Sequence, residues 1–246
     1  MQKMLSYVRR AADHYHMIEE GDRIAVGVSG GKDSLTLLTA LAQLRRFYPK
    51  KFEVVAITLE MGYEDMDFSP VVELCRRLEV EYIRVPTQIK QIVFDIRKEE
   101  NPCSLCATLR RGALHEAALA AGCYKVALGH HFDDAVETYM LSLFYEGRIS
   151  CFKPVTYLDR KGVTLIRPLL YVPEYMVRSF ARRYNMPVVF NPCPADGKTK
   201  REDVKTLLKT LEQQFPGVRD RVFGAIQRYP LDGWAPDKSR YKTDRR

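Results

Sequence analysis

Apolar residues recur along this chain with two alternating periods. Leu5, Val8, Ala12, Tyr15 and Ile18 fall three or four apart, which predicts a helix over 4–18 with one buried face. Gly21-Asp22 ends it. The run Arg23–Val28 (RIAVGV) reads as a buried strand, and SGGKDS then turns the chain into a helix over about 33–47. Strands follow at Phe52–Leu59, Glu81–Val85 and Tyr124–Leu128. Between them the pattern predicts a helix from Ser69-Pro70 to Leu78, with Ser69 as cap and proline at the first position. A short helix near Ile89–Ile96 and a longer one over about 104–121 complete the alternation, and a helix over 133–145 follows the fourth strand. Strands alternating with helices require crossover connections and a parallel sheet.

After Gly147 the pattern changes. Pro154–Leu158 and Val163–Arg167 flank DRKG and predict a hairpin; Pro173–Tyr184 predicts a helix and Pro187–Phe190 a last strand. Beyond Asn191 the chain reads as helical, with Val204, Leu207, Leu208, Leu211 and Phe215 on one face and Val218, Val222 and Ile226 on another. The expectation is one α/β domain over 1–246: an N-terminal helix (1–20), a nucleotide-binding core (21–190) and a basic helical extension (191–246).

Composition narrows the class. Apolar residues are 46% of the 246 and charged residues 28%, the balance of a folded globular chain. No apolar run reaches the roughly 18 residues of a membrane span, and the charged N-terminus has no signal-peptide core, so the expected location is the cytoplasm. The formal charge is +8, and 13 basic against seven acidic residues lie from Lys198 onward. Such a tail attracts polyanions. Six cysteines in a cytosolic chain argue for thiols or ligands rather than disulfides.

Ser29-Gly30-Gly31-Lys32-Asp33-Ser34 lies between a predicted strand and helix, where an α/β sheet binds phosphates. Two glycines allow close backbone approach, Lys32 adds positive charge, and the serines add donors. The spacing fits neither GxxxxGK[ST] nor GxGxxG; it resembles the PP-loop of ATP-pyrophosphatases, which cleave ATP between the α- and β-phosphates. The resemblance implies that Ser29, Gly30, Gly31, Lys32 and Ser34 cradle the β- and γ-phosphates, that Asp33 organises Mg²⁺ or the loop, and that adenine lies over Thr58-Leu59. Gly129-His130-His131-Phe132-Asp133-Asp134 has the same setting after the fourth strand. It resembles the second signature of tRNA-thiolating PP-loop enzymes, with Gly129 against the nucleotide and Asp134 serving metal, ATP or general base. His130 and His131 read either as metal ligands or as packed histidines, and Asp133 and Asp134 also suit simple capping.

Asn101-Pro102-Cys103-Ser104-Leu105-Cys106 opens a predicted helix, and Asn191-Pro192-Cys193 follows a predicted strand end. Thiols at a helix start are good metal ligands. Three thiolates suit a [4Fe–4S] cluster with one iron open, whereas the usual cluster has four. Cys75, Cys123 and Cys151 read as buried apolar residues. SGGKDS, CSLCATLRRG, GHHFDD, IRPLLYVPE and NPC, in this order over about 20–215, are similar to the tRNA 2-thiocytidine synthetase (TtcA) family. The resemblance implies a PP-loop α/β fold and an enzyme that adenylates C2 of a tRNA cytidine and replaces the oxygen with sulfur. It implies ATP, Mg²⁺ and a [4Fe–4S] cluster on Cys103, Cys106 and Cys193 as cofactors, with Lys32, Asp33 and Asp134 serving the chemistry. The implied partners are tRNA and a sulfur donor, either a cysteine desulfurase or free sulfide; a homodimer is left open. This chain has Asp196 where many members have a second cysteine of a CxxC pair, and a ligating Asp196 would close the open iron. Arg110 and Arg111 read as AMP or tRNA phosphate contacts or as plain surface arginines. The tRNA would cross Lys198, Lys200, Arg201, Lys205 and Lys209, with Tyr229 and Trp234 stacking on a base. Competing readings are a PP-loop enzyme acting on a small-molecule carbonyl, a non-catalytic nucleotide-binding metal protein, and a lysidine-type ligase.

Overall fold

The computed structural model describes residues 1–63, 65–98, 102–193, 200–229 and 231–238. Its centre is a six-stranded sheet of β1 (Asp22–Gly27), β2 (Phe52–Glu60), β3 (Glu81–Pro86), β4 (Lys125–Ala127), β5 (Val155–Leu158) and β6 (Val163–Ile166), in the order β3-β2-β1-β4-β6-β5. All pairs are parallel except β5–β6, the predicted hairpin. The helices are α1 (Gln2–His14), α2 (Lys32–Leu44), α3 (Ser69–Arg77), α4 (Pro102–Ala120), α5 (Phe132–Glu146), α6 (Glu174–Arg183), α7 (Lys200–Gln214) and α8 (Val218–Arg228).

The central strands are apolar at consecutive positions because both faces are covered. Ile24 and Val26 of β1, with Val54 and Ala56 of β2, join the core under α1, α2 and α5. Ala25, Val55 and Ile57 face the opposite way, onto Ala118 and Cys123 at the end of α4. A side chain at Gly27 would come within 2.9 Å of Leu114, so glycine there lets α4 lie close against the sheet. Each buried valine or isoleucine among these is worth about 1.5–3 kcal/mol relative to exposure. A crossover helix between parallel neighbours must carry the chain back, so α4 starts at the edge where the strands end.

Several expectations shift. Residues 187–190 form no strand: beyond α6 the chain runs past the sheet edge, and Val189 N instead donates to Gly30 O at 3.0 Å. The cap of α3 is Phe68 rather than Ser69, whose N–H donates to Asp67 Oδ1 at 2.8 Å. Residues Gln91–Ile96 form a wide π-turn. On α7 only Val204 and Leu208 are buried; Leu207 and Phe215 face outward because one stripe of the helix meets α5. Asp196 and Lys198 lie outside the described residues. Among the described residues, no helix is long and apolar enough to cross a membrane.

Candidate active site

The strand order places the ends of β1 and β4 side by side, with β2 on the far side of β1. Loops leaving β1 and β4 therefore diverge toward different neighbours and open a crevice at the strand ends, the position where open α/β sheets bind ligands. Both glycine motifs occupy it. After β1 the backbone turns at Gly30 (φ +83°), where a side chain would collide with Val189 at 2.8 Å. Gly31 precedes α2 without any side-chain cap, which leaves first-turn N–H groups for an anion. The serines tie the loop together: Ser29 N donates to Ser34 Oγ at 3.2 Å, and Ser34 Oγ donates to Gly31 O at 2.9 Å.

After β4, Gly129 presses on that loop. A Cβ there would stand 3.2 Å from the Asp33 carbonyl carbon and 3.3 Å from Ser34 N. His131 then caps α5 reciprocally with Asp134: Asp134 N donates to His131 Nδ1 at 3.4 Å and His131 N to Asp134 Oδ2 at 2.9 Å. His131 is thus a packed capping histidine whose Nε2 lies 3.7 Å from Asp33 Oδ1. His130 stacks on Phe152 at 4.9 Å with Nδ1 unpartnered, and burial pulls its pKa down to about 4. Asp133 serves structure: it accepts from Glu174 N at 2.7 Å and from Arg219 at 2.5 Å.

The motifs alone miss the groups that aim the charges. Lys32 Nζ sits 2.9 Å from Asp33 and 3.4 Å from Glu174. Burial pulls Lys32 downward, but the Asp33 and Glu174 carboxylates outweigh it and raise its pKa. Glu174 is 7% exposed; burial pushes it upward, yet Lys205, Lys32 and Arg178 together hold it low. Lys205 reaches Glu174 at 3.3 Å, and Arg201 lies 3.6 Å from Asp134 and 3.3 Å from Glu137. Burial raises the Glu137 carboxyl, and the Asp134 charge adds to it. The one sequence signal for Glu174 was its place at the end of IRPLLYVPE, just after a helix-starting proline.

Cys103 and Cys106 occupy the first turn of α4, at the same edge. Burial raises the Cys106 thiol; Arg110 opposes this, while charge on Cys193 and Cys103 adds to it. Tyr63, just beyond β2, is raised by burial and by its hydrogen bond to Cys193, with Cys106 contributing. The segment carrying Cys193 is tied to the ATP-type loop through Val189. Cys103, Cys106 and Cys193 thus share one neighbourhood with Tyr63 and Arg110. Among the described residues no three His, Cys, Asp or Glu are gathered tightly enough for a single metal ion. A cubane is wider than one ion, and three soft, electrostatically linked thiols, two of them at a helix start, suit it. Cys75 and Cys151, pushed up to about 12 by burial, and buried Cys123 are protonated packing residues as expected. Thr58 turns its hydroxyl inward to Val28 O at 2.7 Å, so that hydroxyl is not offered to a base.

The tail differs from expectation. Trp234 is fully buried, its indole N–H donating to Phe152 O at 2.9 Å, so it stacks on no base. Arg201 and Lys205 are engaged by internal carboxylates, and Lys200 lies over Tyr145 at 4.8 Å. Tyr229 is exposed, and Arg111 donates to its own helix at Ala107 O.

Comparison with known proteins agrees with this geometry. Residues 4–211 match the model of the PP-loop domain family. A tRNA-cytidine(32) 2-sulfurtransferase of Geobacter metallireducens is 41% identical over 228 residues, 92% of this chain and 89% of the relative. That of Geobacter sulfurreducens is 40% identical over 238 residues, covering 94% and 93%. The solved U34-tRNA thiolase NcsA from Methanococcus maripaludis, with its [4Fe-4S] cluster, superposes with a TM-score of 0.73 at 25% identity over 91% of this chain and 77% of its own. With its two glycine loops meeting at the β1–β4 crevice, this chain belongs to the PP-loop domain family and, within it, to the tRNA-cytidine(32) 2-sulfurtransferases.

Proposed function

We propose that this protein replaces the C2 oxygen of cytidine 32 in tRNA with sulfur at the expense of ATP. The observation that carries the reading is the gathering of Cys103, Cys106 and Cys193 at the sheet edge that also bears the Ser29–Ser34 loop. An enzyme that only adenylates needs no such thiols.

Ser29, Gly30, Gly31 and Ser34 hold the β- and γ-phosphates of ATP through backbone and hydroxyl donors. Lys32, aimed by Asp33 and Glu174, lies toward the leaving phosphates, and Asp33 would hold Mg²⁺. The O2 lone pair attacks the α-phosphorus, the bond to the bridging oxygen breaks, and pyrophosphate departs against the positive charge of Lys32, to which a bound Mg²⁺ would add its own. This step is needed because a ring carbonyl does not expel oxide. Asp134 stands beside the nucleotide, held by the His131 cap, with Gly129 giving room for close approach. Cys103, Cys106 and Cys193 would hold a [4Fe–4S] cluster, which would supply sulfide-level sulfur for this site. Sulfide adds at C2, the C2–O bond breaks, and AMP leaves with the former oxygen. Arg110 stabilises thiolate at Cys106. The sulfur comes from free sulfide, or from the persulfide of a desulfurase once a thiol reductant has supplied the two electrons that release it as sulfide.

Anaerobically purified protein is assayed for iron, sulfide and absorption, and tRNA nucleosides are analysed by mass spectrometry after incubation with ATP, Mg²⁺ and sulfide. The expected result is about four irons per chain and 2-thiocytidine in the digest. Cys193→Ser loses both while keeping ATP binding. Full thiolation by iron-free protein would refute the cluster role.

A further inference from the structure

Two cations of the C-terminal extension are spent inside the molecule. Arg201 and Lys205 of α7 are engaged by Asp134, Glu137 and Glu174. The face of α6 is different. Its sequence, EYMVRSFARR, contains one acid, Glu174, which is buried against Lys32. Tyr175, Arg178, Ser179 and Arg182 stand at i, i+3, i+4 and i+7, so they share one face. All four are exposed, and with Arg183 they border a depression of about 640 Å³. Arg178 is 3.9 Å from Glu174, and among the described residues no carboxylate pairs with Arg182 or Arg183. Arg178 and Arg182 are about 6 Å apart along the axis, close to the step between successive phosphates of a strand.

Both ends of this face lead to the site. The first residue of α6 holds Lys32 through its carboxylate and Asp133 through its N–H. After α6 the chain turns at Asn185 (φ 44°) and comes back to the glycine loop, with Val189 packed on Gly30. Phe190, next to it, is 73% exposed and lies three residues before Cys193. Cations interleaved with exposed aromatics suit a backbone track with unstacked bases.

The geometry points to the outer face of α6 as the surface that carries the tRNA backbone, with Arg178 and Arg182 on consecutive phosphates and Tyr175 beside them. This rests on tRNA being the substrate. The test is binding of unmodified tRNA across a KCl series to wild type, to Arg178→Ala/Arg182→Ala, and to Lys200→Ala/Lys209→Ala on α7. The α6 variant is expected to bind roughly ten-fold more weakly, with a log–log salt slope lower by about 1–2, and to keep its melting temperature. The α7 variant is expected to keep the wild-type slope. Loss of slope in the α7 variant alone overturns the proposal. So does an α6 variant that binds tRNA normally but fails to thiolate only when sulfur comes from a protein donor, which assigns the face to that donor. A wild type that binds no tRNA instead refutes the substrate reading itself.

Discussion

Gly129 shows how little room the two loops leave each other. A methyl group there meets backbone atoms of Asp33 and Ser34 at 3.2–3.3 Å, which cannot rotate away. Gly129→Ala is expected to cost about 1–3 kcal/mol and to weaken Mg-ATP binding about ten-fold by shifting the first turn of α2; thermal melting and calorimetry read the two effects. His130 supplies a pH dependence. Its ordinary value of 6.5 falls to about 4 because burial penalises the charged ring. Between those values the unfolded chain binds the extra proton, so stability rises with pH there and is lost as pH falls from about 6.5 to 4. The loss from this residue is on the order of 2–3 kcal/mol. Burial lowers His14 and His115 in the same direction. Urea unfolding at pH 7 and pH 4.5 is expected to show a smaller acid loss in His130→Phe than in wild type.

At the scale of elements, α6 and α7 matter through one buried carboxylate. Glu174 starts α6, receives Lys205 from α7 and holds Lys32 at the start of α2. Glu174→Gln keeps the shape but removes the charge that orients Lys32. Pyrophosphate release is expected to fall about 10- to 100-fold, the range for a group that orients a reacting one, with the KM for tRNA unchanged. A variant that also loses its fold would show it in the far-ultraviolet spectrum. The same network explains why periodicity misread the tail. Charge spacing on α7 looks like a solvated basic face, but a helix amphipathic in charge docks equally well on carboxylates supplied by α5 and α6. Trp234 was misplaced for the same reason: an isolated aromatic among polar residues carries no sign of the pocket formed by Tyr15, Phe152 and Phe223.

For the whole molecule, the formal charge of +8 still predicts that tRNA binding weakens steeply with salt. Raising KCl from 50 to 200 mM is expected to lower affinity at least ten-fold, read by filter binding; a flat response would count against an RNA substrate. Cys103→Ala is expected to lose iron while its apoprotein melts within a few degrees of the wild-type apoprotein, because Cys103 is exposed and supports no core.

Local pattern along the chain suffices for the alternation of strands and helices, the hairpin and both glycine loops. Those depend on neighbours a few residues away, on hydrophobic period and on backbone freedom at Gly30 and Gly129. It also marked the three cysteines, because thiols in repeated Asn-Pro-Cys settings at element ends stand out in composition. Tertiary structure decided the strand order that brings the loops together, the ties of Glu174 to Lys32 and of Arg201 to Asp134, and which arginines remain exposed. Partners 67 and 142 residues apart meet only through packing, and burial then sets whether a charge is spent inside or offered to a ligand.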